Sequence, residues 1–169
     1  HAQVITTGGG NDSIIAGNGI DTLTSGAGND YLQGSVAGDS SDADVLTGGA
    51  GDDTYMFITA PSTTSEVVEA SGTDTLYVGA GISMAALKNA SSGADLMTAS
   101  AVNQFEQIVI KAGVTATFAS TQLTANAIAV NADAAGATGL TVTVGGGLTA
   151  DLSSMTVGAI TYQNASALS

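Results

Sequence analysis

"TGGGNDSII" (7–15), "AGNGIDTLT" (16–24) and "SGAGNDYLQ" (25–33) follow one another without a gap. In each, glycine stands at the second and fourth places, aspartate at the sixth and an aliphatic residue at the eighth. A fourth copy, "GSVAGDSSDADVLT" (34–47), is stretched by an insertion, and a fifth, "GGAGDDTYM" (48–56), returns to form. A diverged sixth follows at "ASGTDTLYV" (70–78). The aspartates of the series are Asp12, Asp21, Asp30, Asp44, Asp53 and Asp74, and the apolar places are Ile14, Leu23, Leu32, Leu46, Tyr55 and Leu76.

A fixed short period of this kind marks a stack of like units. Glycine reaches positive φ at little cost and exposes backbone carbonyls in a tight turn. The three residues after each aspartate form a short strand whose middle side chain points inward. Turn and strand carry the chain across, and the next turn and strand bring it back. Two nonapeptides then close one coil of about eighteen residues, with parallel strands about 4.8 Å apart. Successive aspartates fall on alternate edges, so Asp12, Asp30 and Asp53 are expected on one and Asp21, Asp44 and Asp74 on the other. A linker of low complexity would also be rich in glycine and aspartate, but would not hold an aliphatic residue two places after each aspartate.

Charge narrows the partner. The 169 residues carry 15 carboxylates against two basic residues, Lys88 and Lys111, for a net charge of −13. Eleven of the 15 acidic residues precede residue 79, where there is no lysine or arginine. Nucleic acid and anionic membrane surfaces are poor partners for such a chain, and multivalent cations are good ones. No apolar run approaches the length of a membrane span, so no membrane insertion is expected. An ion midway between two stacked turns would have oxygens at about 2.4 Å, within the calcium range and too far for magnesium. With no cysteine, thiolate sites and disulfides are excluded.

Residues 7–56 resemble the RTX (repeats-in-toxin) calcium-binding β-roll family, through the pattern Gly-Gly-x-Gly-x-Asp-x-aliphatic-x; residues 57–78 resemble it weakly. The resemblance implies several Ca2+ ions held between consecutive turns. Their ligands would be the sixth-place aspartates and carbonyls of the glycine-rich positions, including Gly8, Gly10, Gly17, Gly19, Gly26, Gly28, Gly49 and Gly51. It also implies export, usually by a type I secretion system, in an unfolded state. The first places here are Thr7, Ala16 and Ser25 in place of glycine, a change that keeps the carbonyl. Asp39 and Asp42 in the insertion read as a solvated loop or as an extra ion site, and Asp52 at a fifth place reads as facing water. Glu66 and Glu69 are candidates for closing the last ion site.

After residue 78 the composition turns to Ala, Thr, Val and Ser. "SMAALKNA" (83–90) reads as a short helix capped by Ser83. "VNQFEQIVIKAG" (102–113) resembles the Phe-Glu-x-aliphatic strand that follows such rolls in bacterial surface-layer proteins and adhesins. Beyond it a period near twenty links Ile108, Ile128 and Leu148, and aligns Leu140 and Val142 with Ile160 and Tyr162. Strands are predicted near 107–111, 114–118, 127–131, 140–144, 148–152 and 159–163. The fold expected is therefore all-β, a parallel β-roll over 1–78, a connector with one short helix over 79–104, and a calcium-poor β-solenoid over 105–169. An antiparallel sandwich is the alternative for the last part. Both ends read as cut from a longer chain.

Stacked carboxylates about 5 Å apart repel by about 3 kcal/mol per pair at an effective dielectric of 20. Twelve glycines between residues 7 and 53 add an ordering cost of about 0.5–1 kcal/mol each. A thin aliphatic core does not offset both, so the first 78 residues are expected to fold only as they bind calcium. No nucleophile elbow, zinc helix or phosphate loop occurs, and the one histidine is His1, so no enzyme is expected. Two functions fit. One is a calcium-rigidified segment of a secreted bacterial surface layer or adhesin, self-associating into a lattice or filament. The other is the calcium-dependent secretion and folding module of an exported protease or lipase.

Overall fold

The computed structural model describes residues 1–39, 43–61, 66–68, 71–84, 87–89, 105–119, 129–133, 139–143, 156–157 and 161–164. Every pairing between its strands is parallel, and strands pair with those of neighbouring coils. One sheet joins β1 (Val4–Thr6), β3 (Thr22–Ala27), β5 (Val45–Ala50), β7 (Glu66–Val68) and β9 (Lys88–Asn89) in that order. A second joins β2 (Ser13–Ile15), β4 (Tyr31–Gln33), β6 (Thr54–Phe57), β8 (Thr75–Val78), β10 (Gln107–Ile110), β12 (Ala129–Ala132) and β14 (Thr156–Val157). A third contains β11 (Thr115–Ala119), β13 (Gly139–Thr143) and β15 (Thr161–Asn164). This is a β-solenoid, as the nonapeptide period requires, and its parallel pairing excludes the antiparallel sandwich.

Register follows the eighth-place aliphatics. In the second sheet Ile14 pairs with Leu32, Leu32 with Tyr55, Tyr55 with Leu76 and Leu76 with Ile108. In the first, Ile5 pairs with Leu23, Leu23 with Leu46 and Leu46 with Val67. These columns face each other as one buried core. A fully buried Leu or Ile is worth about 1.5–3 kcal/mol to the fold, so each coil contributes only a small apolar layer. Tyr55 and Phe105 thicken it where the roll ends: their rings meet edge to face at 5.4 Å. The Tyr55 hydroxyl accepts from Gly48 N–H at 2.9 Å and donates to Val68 C=O at 3.2 Å.

Three expectations are corrected. No helix occurs among the described residues; within 83–90, Lys88–Asn89 is a strand paired with Glu66–Val67, and Ser83 bridges Thr117. Hydrogen bonds from Met84 N–H to Thr117 C=O (2.8 Å) and Thr117 N–H to Ile82 C=O (3.0 Å) hold this segment to the third sheet. Neighbouring backbones overrule a weak helical pattern here. In the last part the period is also longer than twenty: Ile108 pairs with Val130, Leu140 with Tyr162 and Val142 with Asn164. Leu140 therefore does not align with Ile160, nor Val142 with Tyr162. Ile128, Leu148 and the strand expected at 148–152 lie outside the described residues. The third correction concerns the frame of the sixth copy. Asp53 N–H bonds the Asp74 carboxylate and Thr54 pairs with Thr75, which shifts that frame one residue ahead of 70–78.

Candidate metal centre

The turns before the second-sheet strands place Asp12, Asp30, Asp53 and Asp74 along one edge. Asp12 N–H donates to Asp30 Oδ1 (2.8 Å), Asp30 N–H to Asp53 Oδ1 (2.9 Å), and Asp53 N–H to Asp74 Oδ1 (2.8 Å). Each carboxylate thus hangs from the backbone of the coil before it, at sequence separations of 18, 23 and 21. The first coil has the expected length, and the insertion of the fourth repeat stretches the next. On the opposite edge Gln3 N–H donates to Asp21 Oδ1 (2.7 Å) and Asp21 N–H to Asp44 Oδ1 (2.8 Å). Asp74 therefore belongs with Asp12, Asp30 and Asp53, not with Asp21 and Asp44. The cause is β7, a strand without the glycine–aspartate signature that adds one crossing before Asp74.

The first row also goes one step further than the repeat pattern. Asp74 N–H donates to Glu106 Oε2 at 2.7 Å, across 32 residues, and Thr75 pairs with Gln107. Glu106 therefore occupies the sixth place of the next coil. This explains the Phe-Glu pair: Phe105 enters the core under Tyr55, and Glu106 enters the carboxylate row.

A second ladder runs beside the first. Asn29 N–H donates to Asn11 Oδ1 (2.9 Å), Asp52 N–H to Asn29 Oδ1 (3.0 Å), and Thr73 N–H to Asp52 Oδ1 (2.8 Å). Fifth-place side chains accept from the coil after, and sixth-place side chains from the coil before. Asp52 is exposed, as expected for its place, but it also holds Thr73. The signal for this ladder was the recurrence of Asn or Asp at places 11, 29 and 52.

The glycines divide by demand. Gly10, Gly28 and Gly51, at fourth places, have φ of 119°, 124° and 128°, and Gly26 and Gly49, at second places, 112° and 110°. A Cβ on Gly28 would strike the Gly10 carbonyl oxygen, and one on Gly51 that of Gly28. Gly19 on the opposite edge also has positive φ, at 128°, and its N–H donates to Asp39 Oδ2 at 3.0 Å. Asp39 is thus tied to the opposite edge and is not a free loop residue. Gly8 has open space around it, and Gly17 donates to Gln3 Oε1 at 3.0 Å, so neither position demands glycine sterically. The first-place hydroxyls take part as well: Thr7 Oγ1 donates to Ser25 C=O and Ser25 Oγ to Gly48 C=O, both at 2.9 Å. Asp42 and Glu69 lie outside the described residues, as does the side chain of Glu66.

The second oxygens show what the rows are suited to. Oδ2 of Asp21, Asp30, Asp53 and Asp74 is buried without a hydrogen-bond partner, and these residues are 0–3% exposed. An unpaired buried carboxylate oxygen costs several kcal/mol unless something compensates it. The space around it is kept open by small residues, since a Cβ on Gly48 would strike Asp53 Oδ2. At Asp44 the corresponding oxygen accepts from Ser35 Oγ at 2.7 Å, which makes this member of the opposite edge different. Burial pushes the Asp53 carboxyl up to about 6; the Asp30 N–H bond opposes this, and the charges of Asp74, Asp30 and Asp52 add to it. Burial likewise raises Glu106, partly offset by backbone hydrogen bonds. Among the described residues no three acidic or histidine side chains converge on a point. An ion in the rows would then take few carboxylates and several backbone carbonyls, a hard all-oxygen donor set of the kind calcium accepts.

No helix among the described residues is long and apolar enough to cross a membrane. No curated protein and no solved structure matches the chain significantly. Residues 6–40 and 39–56, however, match the RTX calcium-binding nonapeptide repeat in four copies. Stacked turns, buried unpartnered carboxylates and that match agree: over residues 6–56 the chain is similar to the calcium-binding repeats of the RTX family.

Proposed function

We propose that this chain is a calcium-folded structural segment of a secreted bacterial surface protein, a surface layer or an adhesin. The row of buried, unpartnered carboxylate oxygens carries the reading. In it, Asp12, Asp21, Asp30, Asp44, Asp53 and Asp74, with carbonyls of the glycine-rich turns, hold calcium between coils. Calcium cancels the repulsion along each row, so ion binding and folding of the roll are one event. The chain stays threadable where calcium is scarce and sets where it is abundant, outside the cell. The role is structural and not catalytic. A surface role is supported by the solenoid that extends the roll, rich in Ala and Thr and opened by the Phe-Glu pair.

Sedimentation velocity in chelator and in millimolar calcium tests this. The expected result is an expanded monomer that converts to large assemblies on calcium addition. Compaction to a stable monomer would transfer the role to a secretion and folding module of an exported enzyme. Unchanged sedimentation would overturn calcium-driven folding.

A further inference from the structure

The carboxylate row does not stop where the recognisable repeats stop. The repeat match ends at residue 56, yet the hydrogen-bond ladder runs through Asp74 to Glu106. At Asp74 one carboxylate oxygen is used by Asp53 N–H, while Oδ2 is buried and unpartnered in a residue 1% exposed. The Glu106 carboxylate is held at the next step of the same edge by Asp74 N–H, and is close enough to repel the Asp74 charge. Asp74 C=O accepts from both Glu106 N–H and Gln107 N–H at 3.1 Å, so the backbone between the two acids is fixed. No lysine or arginine precedes Asp74, and Lys111 is exposed.

We propose that Asp74 and Glu106 form a junction site for a divalent cation of the calcium type, which clamps the solenoid beyond residue 105 to the acidic roll. Glutamate stands here where the earlier steps of the row have aspartate. Thirty-two residues separate the two acids, against 18 to 23 for the other steps of the row. Bringing together residues this far apart in sequence costs chain entropy, and an ion shared across the junction offsets it. Binding in the roll is thereby transmitted to β10, which pairs with both β8 and β12.

This inference rests on the calcium reading above, and its test separates the two. Calcium stoichiometry by isothermal titration calorimetry and hydrogen exchange on β10 are measured for the whole chain, Glu106→Gln, Glu106→Asp and, as a control in the roll, Asp30→Asn. Glutamine keeps an acceptor for Asp74 N–H and removes the charge. Glu106→Gln is expected to lose about one ion per chain and the calcium-dependent protection of β10, while the roll still responds. Glu106→Asp should keep the ion with affinity within about tenfold. An unchanged stoichiometry in Glu106→Gln overturns the junction site, as does equal loss in both variants, which would make Glu106 a packing residue. No calcium response in the unmodified chain would instead sink the underlying reading.

Discussion

The acidic roll and the solenoid beyond it share a sheet without a break, yet treat a carboxylate in opposite ways. In the roll, Asp21, Asp30, Asp53 and Asp74 each keep a buried oxygen without a partner. In the later region, Asp133 has both oxygens engaged: Oδ1 accepts from Ala112 N–H at 2.7 Å, and Oδ2 from the Tyr77 hydroxyl. Tyr77 is pushed up to about 12, by burial first and by that hydrogen bond second, so it remains a donor. Asp133 thus ties the β8 and β12 coils together by protein contacts alone. Parallel stacking does not need calcium as such. The exposed Asp133 is held by a hydroxyl and an amide at the surface, whereas the buried oxygens of the roll have no protein donor and suit a cation.

The sharpest way to break this contrast is to remove calcium. In chelator, hydrogen exchange over β1–β6 is expected to approach unfolded-chain rates, while the third-sheet pair β11–β13 keeps protection. A far-UV circular dichroism spectrum unchanged between chelator and millimolar calcium would refute the dependence of the roll.

The turns should then show where glycine is required. Gly28→Ala meets both a left-handed φ and the Gly10 carbonyl, and should destabilise the calcium-loaded roll by about 2–4 kcal/mol. Gly8→Ala, with open space and ordinary φ, should cost under about 1 kcal/mol. Equal losses in urea unfolding would mean the stacked carbonyls do not set the turn.

Within the row, position matters next. Asp30 has a neighbour on each side and is buried, whereas Asp12 stands at the end of the described row and is half-buried. Asp30→Asn should therefore raise the calcium midpoint of folding more than Asp12→Asn, by about tenfold against two- to threefold. A reversed order would remove Asp30 from the shared position.

The smallest effect is on pH. Asp53 has a folded pKa of about 6 against 3.8 unfolded, so the folded state without metal holds its proton more tightly. Its stabilising contribution is complete below about pH 4 and is lost as pH rises through about 6. Residual structure in chelator should increase on acidification from pH 7 to 4.5. The calcium midpoint should rise over the same range, because protons compete for the carboxylate. A pH-independent midpoint would place Asp53 outside the ion sites. In the later region, where Asp133 is answered by protein donors, no such proton–calcium competition is expected.

What sequence determined here is whatever repeats within a single nonapeptide. Glycine at places two and four, aspartate at six and an aliphatic at eight were enough for parallel coils, an inward column and carboxylates in rows. Each depends on a residue's own turn or pleat. Strands at 107–110, 115–119, 129–132, 139–143 and 161–164 were legible to within a few residues, because alternating apolar side chains mark them. What only the tertiary structure decided is which coil lies against which. β7 carries no glycine–aspartate signature, so counting motifs placed Asp74 on the wrong edge. Glu106 lacks the motif and joins the row through a hydrogen bond from Asp74, 32 residues earlier. Lys88–Asn89 became strand because Glu66 and Val67 offer an edge. Edge and register are set by backbone groups of the neighbouring coil, and nothing in a residue's own local pattern encodes how many residues the chain spends between two coils.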